Sequence, residues 1–254
     1  MVRVIAGVLL TVAGAYVALC AAVFFFQRSL IYFPQPRSSG GGASRMELRT
    51  PDALLVLTVK AVPGADAVLY FGGNAEDVSA SLPELAGAFP DHALYLLHYR
   101  GYGGSSGSPS EAALHADALA AFDRVHAEHA RVTVVGRSLG SGVAIRLAAV
   151  RPVARLVLVS PYDSIEELAS RQFPFLPVRW LLRDKFESWR DAPRVRAPTT
   201  FVVAERDEII PVASSARLQS RFAEGVARWQ VVPGVGHNSI SDSPDYLPAL
   251  RGRP

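Results

Sequence analysis

A serine between two glycines, at the junction of two different patterns, constrains this chain more than any other feature. Residues 132–148 read VTVVGRSLGSGVAIRLA, a β-branched run followed directly by a small-residue helical pattern. This order predicts a strand, a sharp turn with Ser138 at its apex, and a helix. Gly136 and Gly140 leave room for the strained backbone that such a turn requires. The turn would raise the Ser138 hydroxyl above the edge of a sheet.

Two interpretations of this turn are open from the local sequence. In the first, Ser138 only caps the helix that follows it, as serine often does. In the second, Ser138 is a nucleophile, and the backbone N–H of Leu139 at the positive end of the helix faces a developing anion. The second interpretation requires a base, an acid and a second oxyanion donor elsewhere in the chain.

Composition limits the class of protein. The chain has 254 residues, half of them apolar and 19% charged, which suits one α/β domain with a sizeable core and excludes global disorder. A net charge of +3 is too small to argue for nucleic acid. Cys20 is the only cysteine, so neither an intramolecular disulfide nor a zinc–cysteine site can form.

The amino terminus carries an apolar run. Residues 4–26 contain no charge and are long enough to cross the ~30 Å hydrocarbon core as a helix. We predict a retained single-pass anchor over residues 1–33, with Tyr32 and Phe33 as interfacial aromatics. The alternative is a cleaved signal peptide, favoured by small residues around Cys20, which would leave a periplasmic or secreted protein. The sequence leaves open which end of this helix would lie on which side of the membrane.

A linker and an α/β domain follow. Residues 34–44, which include Pro34, Pro36 and three consecutive glycines at 40–42, predict the linker, and residues 45–254 the domain. The predicted strands are residues 54–59, 67–71, 93–97, 132–135, 156–159, 200–203 and 228–232. The predicted helices include residues 79–89, 111–129 and 213–222. Alternation of this kind predicts a mostly parallel central sheet with helices on both faces.

The candidate base is His237, in a glycine-flanked loop just past the last predicted strand. Ligands of such a sheet bind beyond the carboxyl ends of its strands, where this loop would lie. Three other histidines, at 115, 126 and 129, fall on the predicted polar helix and are expected at the surface. His98 ends a strand and is expected to have a structural role.

The candidate acid is Asp207, which also follows a predicted strand. A carboxylate there can accept the imidazole N–H and fix its tautomer. Asp163 follows another strand end and competes for this role, and Glu205 could substitute. With Asp207, the order along the chain is serine, acid, histidine.

The second oxyanion donor is expected after the strand of residues 67–71, where Gly72-Gly73-Asn74 lets the backbone turn inward. The N–H of Asn74 is the first candidate and that of Gly73 the second, beside Leu139. A turn before a helix, with Asn74 as its N-cap, is the competing interpretation, and both can hold together.

Taken together, these motifs resemble the α/β-hydrolase superfamily, and within it the membrane-anchored Bem46-like and ABHD13/ABHD17-like serine hydrolases. The resemblance covers almost the whole chain. The motifs are QRSLIYFP at 27–34, YFGGNAED at 70–77, YRGYG at 99–103, GRSLG at 136–140, ERD at 205–207 and PGVGHN at 233–238. It implies the α/β-hydrolase fold with a Ser138, Asp207 and His237 triad, acyl transfer to water, and no metal or cofactor. Relatives usually have His-Gly-Asn where this chain has Gly72-Gly73-Asn74, and often aspartate at the position of His98.

Residues 162–192 are longer than a bare strand-to-helix connection and predict a short cap over Ser138. Its apolar residues would suit an acyl chain or another apolar substrate group, or would simply pack the cap onto the sheet. The candidate pocket residues are Phe173, Phe175, Leu176 and Leu181.

The leading interpretation is a membrane-tethered hydrolase of carboxylic esters or thioesters, acting on a small-molecule or acyl substrate. A serine peptidase acting on short peptides and a catalytically silent scaffold on the same fold are the alternatives. The sequence leaves the physiological substrate and the oligomeric state open.

Overall fold

The computed structural model describes residues 1–38, 43–64 and 66–252. Within them the strands are β1 Ser44–Arg49, β2 Leu54–Lys60, β3 Ala67–Phe71, β4 Ala93–His98, β5 Val132–Arg137, β6 Arg155–Val159, β7 Thr199–Ala204 and β8 Ala227–Val232. The α-helices are α1 Val2–Ile31, α2 Leu82–Ala88, α3 Glu111–His126, α4 Leu139–Ala148, α5 Ile165–Gln172, α6 Val178–Leu181, α7 Ser188–Asp191, α8 Val212–Gln219 and α9 Tyr246–Arg251.

The strands form one sheet in the order β1-β2-β4-β3-β5-β6-β7-β8. From β4 to β8 every neighbouring pair is parallel, whereas β2 runs antiparallel to both β1 and β4. The parallel strands follow from the helical crossovers between them, which return the chain to the same end of the sheet. The predicted mostly parallel sheet is therefore confirmed.

Helices cover both faces of the sheet, as predicted. Strand β3 is buried throughout, and its side chains alternate between the two cores, with Leu69 on one side and Val68 on the other. The first core takes Phe122 from α3 and Leu147 from α4, and the second takes Leu85 from α2. Burial on both faces explains why the central strands read as continuous apolar runs.

Elements with weak apolar periodicity escaped the sequence prediction. The edge strand β1, with sequence SRMELR, was not predicted because it is only partly buried and carries three charged side chains. The short helix α9 was also missed. The helix expected at residues 79–89 is a 3-10 turn, Val78–Ser81, followed by α2 with Pro83 in its first turn. The helix predicted to reach residue 129 ends at His126.

Helix α1 is the one helix in the described ranges that is long and apolar enough to cross a membrane. Its 30 residues correspond to about 45 Å. Tyr32, expected at a membrane interface, instead lies in the core at 3% exposure, and its hydroxyl donates to Asp184 at 3.1 Å. Phe33 is 44% exposed.

The segment after α1 is bonded to the domain rather than free of it. The Phe33 N–H donates to Asn74 O at 3.1 Å, and the Gly103 N–H to Gln35 O at 2.9 Å. The Ser38 N–H donates to the Asp77 carboxylate at 2.7 Å. The glycines of the predicted linker, residues 40–42, lie outside the described residues.

Candidate active site

The turn at Ser138 has the strained geometry that the sequence predicts. Ser138 lies between β5 and α4 with a φ of 50°, a region that non-glycine residues rarely occupy. A β-carbon at Gly136 would collide with the Gly140 carbonyl oxygen, and one at Gly140 with that of Phe71. Gly136 is therefore required for α4 to pack against β5, and Gly140 for α4 to pack against the end of β3.

The Ser138 side chain does not cap helix α4. Its Oγ lies 3.0 Å from Nε2 of His237, and Nδ1 of His237 lies 3.0 Å and 2.9 Å from the two carboxylate oxygens of Asp207. Three side chains that are distant in sequence thus form one continuous hydrogen-bonded row. The capping interpretation of Ser138 is wrong for this structure.

Asp207 is held so that it stays ionised. Burial opposes its charge, but the hydrogen bond from His237 and the backbone N–H of Ile210 at 2.7 Å outweigh it, so the pKa of Asp207 lies below its ordinary value. The side chains of Asp207 and His237 are 1% and 7% exposed. A buried carboxylate that accepts from Nδ1 favours the tautomer with the proton there, leaving Nε2 able to accept from Ser138.

The two competing acids point elsewhere. Asp163 forms an ion pair with Arg217 at 2.7 Å and accepts a hydrogen bond from Ser214 at 2.7 Å. Glu205 accepts the backbone N–H of Gly234 at 2.8 Å. Asp163 and Glu205 follow strand ends, as Asp207 does. Their carboxylates, however, bind neighbouring segments of the chain rather than His237.

The remaining histidines lie away from this row. His98 is buried with Nε2 2.9 Å from Thr58 Oγ1, and burial lowers its pKa to about 4. The surface position expected for the helix histidines is wrong for His129, which is buried and bonded to Tyr95 at 2.9 Å. His115 and His126 are half-buried, and burial lowers the pKa of His115 to about 4. In the part of the chain that the structure describes, no three His, Cys, Asp or Glu side chains cluster as a metal site needs.

In the described part of the chain, two backbone N–H groups of residues that line the cavity with Ser138 have no acceptor. Leu139 is the first residue of α4, so its N–H has no partner within that helix. Within the described residues the Asn74 N–H also donates to no protein group, whereas the Gly73 N–H donates to Glu76 at 2.7 Å. The Asn74 side chain donates to Ile31 O at 3.0 Å, so Asn74 is not the N-cap that the competing interpretation expected; Asp77 caps the following turn instead.

A cavity of about 480 Å³ opens beside Ser138 and His237. Of the four predicted pocket residues, Phe173, Leu176 and Leu181 line this cavity. Phe175 does not: it is 61% exposed, and its ring stands edge-on to Phe173. Helix α1 also lines the cavity, through Val23, Gln27, Leu30 and Ile31, which was not predicted from the sequence.

Comparisons with known proteins agree with this architecture. Residues 66–188 match a family model described as the alpha/beta hydrolase fold. The chain is 38% identical over 243 residues to an uncharacterised protein of Mycobacterium tuberculosis, covering 89% of this chain and 86% of the relative. It is 29% identical over 258 residues to protein bem46 of Schizosaccharomyces pombe, covering 90% and 85%. The chain belongs to the α/β-hydrolase superfamily.

Solved structures agree with the fold of this α/β-hydrolase. The Pyrococcus furiosus esterase Pf2001 superposes with a TM-score of 0.70 at 17% identity, covering 87% of this chain and 96% of that one. At this identity the likeness concerns the fold alone. Together with the Bem46 relationship, family membership supports a hydrolase.

The resemblance leads us to expect histidine where the loop after β3 has Gly72, and the structure shows that a side chain has no room there. A β-carbon at Gly72 would lie 2.5 Å from Val78 Cγ1 and 3.0 Å from the Glu76 carboxylate. Glu76 occupies this space and ties the loop together, accepting from the Gly73 N–H, from Tyr70 OH at 2.7 Å and from Ser81 Oγ at 2.6 Å. Glu76 was not predicted from the sequence; the available signal was an acidic residue three positions after the second of two glycines.

Proposed function

We propose that this α/β-hydrolase is a serine hydrolase that cleaves carboxylic ester or thioester bonds through an acyl-enzyme on Ser138. One observation carries the proposal. Ser138 Oγ, the His237 ring and the Asp207 carboxylate lie in hydrogen-bond contact in the order that nucleophilic catalysis needs, at distances of 3.0 and 2.9 Å.

In the first half of the reaction, Ser138 Oγ attacks the carbonyl carbon and its proton passes to Nε2 of His237. Asp207 stabilises the imidazolium that forms, because it accepts from Nδ1. When the tetrahedral intermediate collapses, the bond to the alcohol or thiol breaks and the leaving group takes the proton from Nε2. The acyl group then remains on Ser138.

In the second half, a water molecule gives its proton to Nε2 of His237 and its oxygen attacks the acyl carbon. Collapse returns the proton to Ser138 Oγ and releases the carboxylic acid. In both halves the negative charge on the carbonyl oxygen is stabilised by the backbone N–H groups of Leu139 and Asn74. The free state of these two donors supports their assignment, whereas the Gly73 N–H is already bonded to Glu76.

Labelling with a fluorophosphonate probe tests the nucleophile. We expect the wild-type chain to be labelled, the Ser138→Ala variant not, and the exposed-serine control Ser220→Ala as strongly as wild type. An unlabelled wild type, or equal labelling of Ser138→Ala, would contradict the proposal.

We also propose that α1 is retained as a single-pass anchor. Its apolar side chains are exposed over most of its length, among them Leu9, Leu10 and Phe25, and a lipid bilayer would cover them. Alkaline carbonate extraction should leave the protein in the membrane fraction, with Met1 or Val2 at the mature amino terminus. A mature terminus near residue 22 would identify a cleaved signal peptide instead.

A further inference from the structure

The active-site cavity has a wall that the hydrolase domain does not supply. Val23, Gln27, Leu30 and Ile31 of α1 line it together with residues of the cap, and Ser138 and His237 line it as well. With one wall from an apolar helix and another from Leu176, Leu181 and Phe173, the cavity suits a long hydrocarbon chain better than a polar group.

Specific bonds hold the end of α1 against the domain. Gln27 is buried: its Nε2 donates to Leu181 O at 3.0 Å, and its Oε1 accepts the Arg183 N–H at 2.7 Å. Arg28 forms an ion pair with the buried Asp184 at 2.9 Å. A merely tethering helix would not need these contacts. They hold the end of α1 against the cap, so the α1 residues that line the cavity are a fixed part of it.

The cap also lies beside α1 much closer to its amino terminus. The Tyr16 hydroxyl donates to Phe175 O at 2.8 Å, 15 residues or about 22 Å before Ile31. The part of α1 before Tyr16 is only about 21 Å long, shorter than the ~30 Å hydrocarbon core. If α1 spans a bilayer, the spanning segment must therefore include residues that contact the cap.

The cap exposes three large aromatic side chains. Phe173, Phe175 and Trp180 are 43%, 61% and 83% exposed. Aromatic side chains of this size are unusual on a surface in water and suit the boundary of a bilayer.

We propose, building on the serine hydrolase function above, that the substrate is a membrane-resident ester or thioester whose acyl chain enters the cavity from the bilayer. The chain passes the edge formed by Phe173, Phe175 and Trp180 and lies against Val23 and Leu30 of α1. The anchor is then a specificity-determining part of the substrate site.

The selectivity of the enzyme for acyl-chain length tests whether α1 forms a wall of the substrate cavity. In the full-length protein in detergent, kcat/KM is measured for p-nitrophenyl hexadecanoate and for p-nitrophenyl acetate. Val23→Trp fills the cavity and should lower the ratio of the two values at least tenfold, and Val23→Phe should lower it less. The matched control Val8→Trp, on the exposed part of α1, should keep the wild-type ratio. An unchanged ratio in both Val23 variants overturns the inference.

Fluorophosphonate labelling of the same samples separates the two proposals. If the wild type is labelled at Ser138 but the ratio of kcat/KM values is the same in wild type and the Val23 variants, only the proposed role of α1 is wrong. If the wild type is not labelled, the serine hydrolase proposal itself fails. A variant that misfolds loses labelling, and Val23→Phe then provides the comparison.

Fluorescence quenching tests the depth of the cap edge. In a Trp189→Phe/Trp229→Phe variant, Trp180 is the only remaining tryptophan. In phosphatidylcholine vesicles we expect quenching by lipids brominated on the acyl chain and protection from aqueous iodide. Quenching by iodide with none by brominated lipid would place the cap edge in water and overturn entry from the bilayer.

Discussion

The carboxylate of Glu76 accepts the backbone N–H of Gly73 at 2.7 Å, on the loop that lies beside Ser138. The same carboxylate accepts Tyr70 OH and Ser81 Oγ. Among the residues that the structure describes, the next N–H along the loop, that of Asn74, has no acceptor. Glu76 thus holds this loop together from within, at the place where Gly72 itself carries no side chain.

Glu76→Gln should lower kcat for p-nitrophenyl butyrate by about tenfold to a hundredfold, with KM little changed. The amide nitrogen cannot accept a hydrogen bond, so at least one of the three donors loses its partner and the loop shifts. The effect should be smaller than the ~10²–10³ typical of losing an oxyanion donor itself. Tyr70→Phe removes one bond to the same carboxylate and should show a smaller decrease. A rise in KM with unchanged kcat would contradict a positioning role in the transition state.

Asp207→Asn should lower ester turnover by about 10³-fold to 10⁴-fold, because an amide in place of the carboxylate favours the wrong imidazole tautomer. Asp163→Asn is the matched control. Asp163 is bonded to Arg217 and Ser214, so its loss should reduce thermal stability yet leave turnover within tenfold of wild type. Steady-state kinetics with a short ester distinguishes the two variants. Full activity in Asp207→Asn would transfer the role of the acid to Asp163.

Gly140→Ala should destabilise the domain by about 1–3 kcal/mol and abolish most activity. The new β-carbon would collide with the carbonyl oxygen of Phe71, and backbone cannot move aside as a flexible side chain can. Gly87→Ala is the control: in α2 the nearest atom is Leu247 Cδ1 at 3.5 Å, an ordinary contact, so a gain of about 0.5–1 kcal/mol is expected. Urea unfolding measures both. Equal stability of Gly140→Ala and wild type would refute the packing argument.

Acidification below pH 6.5 should destabilise the protein through His98. Burial lowers its pKa in the folded state to about 4, whereas the unfolded state titrates near 6.5. Between these values the unfolded state binds more protons, so stability is complete above pH 6.5 and falls as the pH falls towards 4. The loss from this one group is at most about 3 kcal/mol.

His98→Gln should flatten this dependence. Because burial also lowers the pKa of His115 to about 4, we expect the variant to retain about half of the wild-type loss between pH 6.5 and 4. Free energies of unfolding at several pH values provide the measurement. An identical pH slope in wild type and variant would be incompatible with a buried neutral His98.

The local sequence was sufficient to predict those features whose geometry depends on neighbouring residues. The strand, the two glycines and the helical pattern around Ser138 predict a strained turn, because only small side chains fit there. The apolar runs of β3 to β7 likewise predict a mostly parallel sheet. Strands of such a sheet are buried on both faces and therefore have few polar side chains. The position of Asp207 and His237 after strand ends follows from the same argument, as the carboxyl ends of parallel strands lie on one edge.

Tertiary structure alone decided which groups meet. Asp163 and Asp207 both follow strands, and only the path of the loops puts Asp207 at 2.9 Å from His237 and Asp163 beside Arg217. An apolar run at the amino terminus predicts a membrane helix, but its periodicity does not indicate that Val23 faces the cavity of Ser138. The role of Glu76 is also not evident from the sequence. Glu76 lies only three residues after Gly73, but its contacts with Tyr70 and Ser81 depend on how the loop folds back on β3. Such contacts depend on chain segments far apart in sequence, so no local pattern encodes them.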